Sequence, residues 1–187
     1  YQNGSEPLWI PRGYQLYHVV DGQQRLTTIA ILLYEITVMV RKLPENEGKA
    51  DNKIVILDAT LENIVQQYIC MSRPPDDVIT TYLFGYEIDN PSEMYLRHII
   101  FEDTKHGTIP ESYYTHNLDY AKEFFRDNLS REYQNYGMQG IERLYDKLTQ
   151  HLMFNLHDIR DEYDVFVAFE TMNNRGKKLT NLELLKN

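Results

Sequence analysis

The sequence contains one cysteine, Cys70, which excludes an internal disulfide and any cysteine-rich metal site. Its six histidines include no pair at i, i+4, so the helical zinc motif is also missing. The longest apolar run, residues 29–40, is about half the length that a bilayer requires and carries Glu35 and Thr37, so no membrane span is expected. The Walker A pattern G-x-x-x-x-G-K-[ST] does not occur, and any nucleotide site must therefore use another design. Basic residues are scarce: 19 Lys and Arg stand against 28 Asp and Glu, a net charge of −9. Such a domain repels DNA at long range unless its cations gather on one face, so nucleic acid is not the expected direct ligand of this chain. Nor is there a basic segment leading into an apolar one at the start, where the chain opens at Tyr1, and no secretory signal is read. A lone thiol and no signal fit a cytoplasmic location.

What is present is ordinary globular material. With 187 residues, 42% of them hydrophobic and 25% charged, the chain can bury the core of one soluble domain. Its 15 tyrosines are many. They could stack bases, although spacings such as Tyr133 and Tyr136 fit half-buried helix faces more simply.

Periodicity predicts a predominantly helical α+β protein. A strand over residues 14–20 leads into a helix in which Leu26, Ile29, Ala30, Leu33, Ile36, Thr37 and Val40 recur at helical spacing until Pro44. Ile31, Leu32 and Val38 widen its apolar surface, which predicts a central helix buried on most sides. A polar loop over 43–52 follows, then a short strand at 54–57 or the lead into a helix over 61–71, and a break at 73–77. Residues 82–88 alternate as a strand. Asn90-Pro91-Ser92-Glu93 supplies an N-cap, a first-turn Pro and a capping-box Glu for a helix over 91–101. Residues 105–114 read as loop, and Leu118, Ala121, Phe125, Leu129, Tyr133 and Tyr136 mark a helix stopped by Gly137. A shorter helix over 141–150, a strand through Leu152, Phe154 and Leu156, and a helix over 161–173 complete the reading. There is no internal repeat and no low-complexity tract.

Two stretches could carry chemistry. In "YHVVDGQQRLTT" a strand pattern turns at Asp-Gly into a helix, an arrangement that aims unpaired backbone N–H groups and the helix dipole at one spot. Gly22 lets a ligand approach the backbone. Gln23 and Gln24 add neutral donors and acceptors, Arg25 a bidentate cation, and Thr27 and Thr28 first-turn hydroxyls. The bland alternative is an Asp21 N-cap with Gln24 as its capping-box partner and Arg25 as a solvated charge. The second stretch, "FETMNNRGKKLTNLELLKN", ends one helix at Asn173-Asn174-Arg175-Gly176 and starts another at Thr180, with Glu183 as its capping-box partner. It is either a helix C-cap at Gly176 and a turn, or a loop presenting Asn173, Arg175, Lys177 and Lys178 to an anionic ligand.

Together, "DGQQRLTT" and the downstream "FETMNNRGKKLT…LLKN" resemble the signature pair of the DGQQR family, the N-terminal module of GmrSD-type, modification-dependent restriction endonucleases. The similarity runs from Tyr14 to Asn187, with the middle matched only in helical character. It implies a ParB/sulfiredoxin-like small sheet core with added helices, in which the DGQQR loop binds and hydrolyses a nucleoside triphosphate, with or without Mg2+, to regulate a nuclease further along. On that resemblance Asp21 and Arg25 would be catalytic, with Asp21 orienting water or a Mg2+ ion unless it is only the cap. Gly22, Gln23, Gln24, Arg25, Thr27, Thr28, Asn173, Arg175 and Gly176 would bind the nucleotide. The expected partners are the nucleotide, DNA through the full-length protein, and the downstream nuclease domain or subunit of a bacterial phage-defence system.

The family's opening Ile-Pro-x-Tyr-Gln-Arg segment has its only similar text in "IPRGYQLY", residues 10–17, where Leu16 replaces the Arg. Residues 1–187 are therefore read as one domain, the central and C-terminal part of the family's module, with the N-terminal motif and the nuclease missing. DNA cleavage by this chain is not expected. A rival reading is a non-enzymatic ParB-like module that senses DNA or a partner protein, with nucleotide only as a conformational ligand. Sulfiredoxin-like redox chemistry would need a cysteine where Gln23 and Gln24 stand.

Overall fold

The computed structural model describes residues 9–74, 79–86, 90–103 and 113–159, together with 164 and 167. The chain is α+β and predominantly helical, as the periodicity predicts. The elements run α1 (Gln23–Arg41), β1 (Val55–Ile56), β2 (Ala59–Thr60), α2 (Leu61–Tyr68), β3 (Cys70–Ser72), β4 (Thr80–Tyr82), α3 (Pro91–Tyr95), α4 (Tyr113–Tyr136) and α5 (Met138–Asp146). A π-helical turn extends α3 over Leu96–Ile100 and another extends α5 over Lys147–His151. The strands form two antiparallel ribbons, β1 with β2 and β3 with β4. Contacts group the chain into two units, one holding residues 25–152 with the N-terminal segment up to Leu16, the other holding Tyr17–Gln24 with the residues from Met153 onward.

The core of the first unit is built on α1. Ala30, Ile31, Leu33, Tyr34, Ile36, Val38 and Val40 are buried, so the helix is enclosed on most sides, because apolar residues occupy nearly every position of its second half. Packed into the same core are Ile54 and Ile56, Leu61 and Ile64 of α2, Leu96, Ile100 and Phe101, Leu118 and Leu129 of α4, and Ile141 and Tyr145 of α5. Burial of such side chains contributes roughly 1.5–3 kcal/mol each before conformational entropy is subtracted. Two caps act as the sequence predicts. Asn90 accepts from Ser92 N at the start of α3, and Gly137, at φ 62, ends α4 in a conformation that few residues other than glycine adopt.

Three expectations change. Residues 14–20 and 152–156 form no strand among the described residues, and Leu156 is 85% exposed. Of the strand expected at 82–88, residues 83–86 form none and 87–88 lie outside the described residues; the strand here is Thr80–Tyr82, its register set by β3 through the Ser72–Thr80 and Cys70–Tyr82 pairs. Glu93 does not complete a capping box; its side chain is 3% exposed, accepts from Tyr86 N at 2.6 Å and pairs with Arg97 one turn on. The helix expected over 161–173 falls almost wholly outside the described residues.

Candidate functional site

The DGQQR stretch passes from irregular chain into α1 at Gln23, with Gly22 at φ 92 immediately before it. That φ lies in the left-handed region, where a Cβ is disfavoured, so the Gly has a conformational reason to stand there. Gln23 folds back over the turn, its Nε2 donating to Val19 O at 2.7 Å. Because the helix begins at Gln23, its first turn falls on the motif itself. The first turn of α1 holds no acidic residue, and Asp21 stands just before it.

The side chains divide by exposure. Asp21, Gln23, Gln24, Arg25 and Thr28 are exposed, whereas Thr27 turns inward and is 4% exposed. Thr27 Oγ1 meets the Tyr86 hydroxyl at 3.0 Å, a partner 59 residues away. Tyr86 is held in turn through its backbone N–H by Glu93, whose ion-pair partner Arg97 lies over the Tyr82 ring at 4.9 Å. Burial pushes the Tyr86 hydroxyl above its ordinary range and raises the Glu93 carboxyl, against which Arg97 acts. These contacts tie α1 at Thr27 to α3 and β4 by way of Tyr86.

Farther along α1 lies a charged group that the periodicity hides. Glu35, 1% exposed, sits 3.8 Å through Oε1 from Lys122 Nζ and 3.3 Å through Oε2 from Arg126 Nε, both on α4. Lys122 also donates to Ile99 O and Ile100 O, each at 2.8 Å, and to Glu102 Oε1 at 3.0 Å. Tyr34 donates to Phe101 O at 2.8 Å. Lys122 and Tyr34 therefore serve the carbonyls where the α3 extension ends, and Lys122 neutralises a carboxylate buried inside α1. In sequence, Glu35 looked only like an interruption of an apolar run.

The start of α1 exposes the side chains of Gln23, Gln24 and Arg25, and a guanidinium is a group of the kind that pairs with phosphate. For Mg2+ the stretch offers the single carboxylate of Asp21, and among the described residues no group of three His, Cys, Asp or Glu could hold a metal ion. A magnesium ion that arrives with a nucleotide retains water and phosphate ligands, and one protein carboxylate is then enough. Asn173, Arg175 and Gly176 of the second motif lie outside the described residues. Cys70 is half-buried, its thiol pushed up to about 11 mainly by burial, so it is a weak nucleophile at neutral pH. Among the described residues no helix is long and apolar enough to cross a membrane.

A family model described as the GmrSD restriction endonuclease N-terminal domain matches residues 8–187, which takes in both motifs and the 10–17 segment. No curated protein and no solved structure matches the chain.

Proposed function

On the premise that the chain belongs to the GmrSD restriction endonuclease N-terminal domain family, we propose that it is a nucleoside-triphosphate-binding and hydrolysing module that regulates a modification-dependent restriction system. The observation that carries this reading is the DGQQR stretch opening α1, with Gly22 at φ 92 and Arg25 exposed. Backbone N–H groups around Gly22, Gln23 and Gln24 would take phosphate oxygens, and the Arg25 guanidinium would offset charge as it builds on the transferring phosphoryl group. Asp21 would orient the attacking water or hold the Mg2+ that accompanies the nucleotide. The exposed Thr28 would join these contacts, while the buried Thr27 would support the turn from inside. Asn173, Arg175 and Gly176 enter this proposal on the family resemblance alone. DNA and the nuclease part of the system would be engaged by the full-length protein, consistent with the net charge of −9.

The test is a thermal-shift panel of ATP, GTP, CTP and UTP, each with and without Mg2+, on the wild type and Arg25→Ala. A ligand at a hundred times its Kd adds about 2.7 kcal/mol, which for a domain of this size raises the Tm by roughly 5–10 °C. A shift that Arg25→Ala abolishes, with phosphate release that Asp21→Asn slows, supports the proposal. Binding without turnover reduces the module to a nucleotide sensor, and no shift with any of the four removes the phosphate reading.

A further inference from the structure

The first turn of a helix lacks intrahelical partners for its N–H groups and frays readily. A site built on such a turn needs something to fix how the helix end is rotated, because donors displaced by about 1 Å lose much of their effect. In α1 this fixing contact is made by Thr27, two positions after Arg25 and one before Thr28. Its hydroxyl is buried and meets the Tyr86 hydroxyl at 3.0 Å. Two hydroxyls facing each other inside the protein add little to hydrophobic packing, which Val and Phe would supply as well. What they add is direction.

Tyr86 is itself unusually well held for a residue outside regular structure. Its N–H donates to the buried Glu93 at 2.6 Å, its ring meets Phe84 edge-on with centroids 6.2 Å apart, and Gly85 lies so close to Glu93 that a Cβ there would fall 2.6 Å from Oε2. Resting on the phosphate reading of the DGQQR stretch, we infer that Tyr86 is a positioning residue for it: through Thr27 it sets the direction in which Arg25 and Thr28 present themselves to the nucleotide phosphates.

The experiment is isothermal titration of the whole chain with the Mg2+ complexes of ATP, GTP, CTP and UTP, on wild type, Tyr86→Phe, Thr27→Val, Thr27→Ser and the Tyr86→Phe/Thr27→Val double variant. Tyr86→Phe should weaken the nucleotide that binds by about tenfold while lowering the nucleotide-free Tm by only a few degrees. Thr27→Val should show the same loss and Thr27→Ser should restore binding. The double variant should be no worse than either single change, because both break the same contact. If the wild type binds none of the four nucleotides, the phosphate reading fails and this inference with it. If the wild type binds and Tyr86→Phe binds within twofold of it, only the role of Tyr86 is overturned. A loss in Thr27→Val without one in Tyr86→Phe also overturns it and makes Thr27 the direct contact. Should Tyr86→Phe not fold, equal binding by Thr27→Val and Thr27→Ser is the refuting result.

Discussion

Replacing Lys122 by Met keeps the length and apolar stem of the side chain and removes only its charge and donors. In the wild type the ammonium lies 3.8 Å from Glu35 Oε1, with the lysine side chain 10% and the glutamate side chain 2% exposed. At that separation and an effective dielectric of about 20, the attraction is about 4 kcal/mol. The variant also takes the lysine donor from Ile99 O and Ile100 O. Arg126 still faces Glu35, but its side chain is 50% exposed and compensates in part. Removing one partner of a buried pair costs about 3–5 kcal/mol, chiefly because the other charge stays buried. At roughly 2–4 °C per kcal/mol for a chain of this length, the expected fall in Tm is about 6–20 °C. Urea unfolding of Lys122→Met, Glu35→Leu and the double variant measures it. The double variant should lose less than Lys122→Met alone, since no charge is then stranded in the core. A loss below about 1 kcal/mol in Lys122→Met, or singles that simply add in the double, would refute the assignment of a coupled buried pair.

Two further predictions concern stability. Burial raises the hydroxyls of Tyr34, Tyr82, Tyr86 and Tyr145 above their ordinary 10.0, Tyr145 to about 12. The unfolded chain then releases protons that the folded chain keeps, so the tyrosine contribution is whole below pH 10 and is lost as pH rises. Urea midpoints should fall from pH 10 upward, less steeply in Tyr145→Phe, and a flat profile between pH 10 and 12 would contradict the burial of these rings. Gly85→Ala would place a Cβ 2.6 Å from Glu93 Oε2 and 2.8 Å from Oε1; the expected cost is about 1–3 kcal/mol by chemical denaturation, and a change under about 0.5 kcal/mol would show that Glu93 can move aside.

How far the sequence speaks depends on whether an element is decided locally. α1 was legible because its apolar residues fill nearly every face and Pro44 follows its end. The N-cap at Asn90 and the stop at Gly137 were legible because each rests on residues within one turn. Alternation at 14–20 and 152–156 reports only which side chains share a face; a strand also needs a neighbour to hydrogen-bond to, and the described residues form no ladder there. The same limit places the strand at Thr80–Tyr82 and leaves 83–86 without one, since β3 supplies only three partners.

The candidate site follows the same rule. The exposed polar side chains of the DGQQR stretch could be read from five consecutive residues. Its support could not: Thr27 and Thr28 are indistinguishable in sequence, and only the partner at Tyr86 shows which hydroxyl turns inward. Glu93 had a local use, as a capping-box residue, and the fold spends it on Tyr86 and Arg97 instead. Glu35 and Lys122 are separated by a long stretch of chain and make sense only as a pair, since each alone would be a costly buried charge. Local chemistry thus marks where a ligand could be met, whereas the contacts that hold α1 at Thr27 and brace its middle come from Tyr86 beyond β4 and from α4. Variants far from the motif, at Tyr86 and Lys122, are therefore predicted to separate the direction of the helix end from its stability: Tyr86→Phe should act on nucleotide affinity, and Lys122→Met on unfolding.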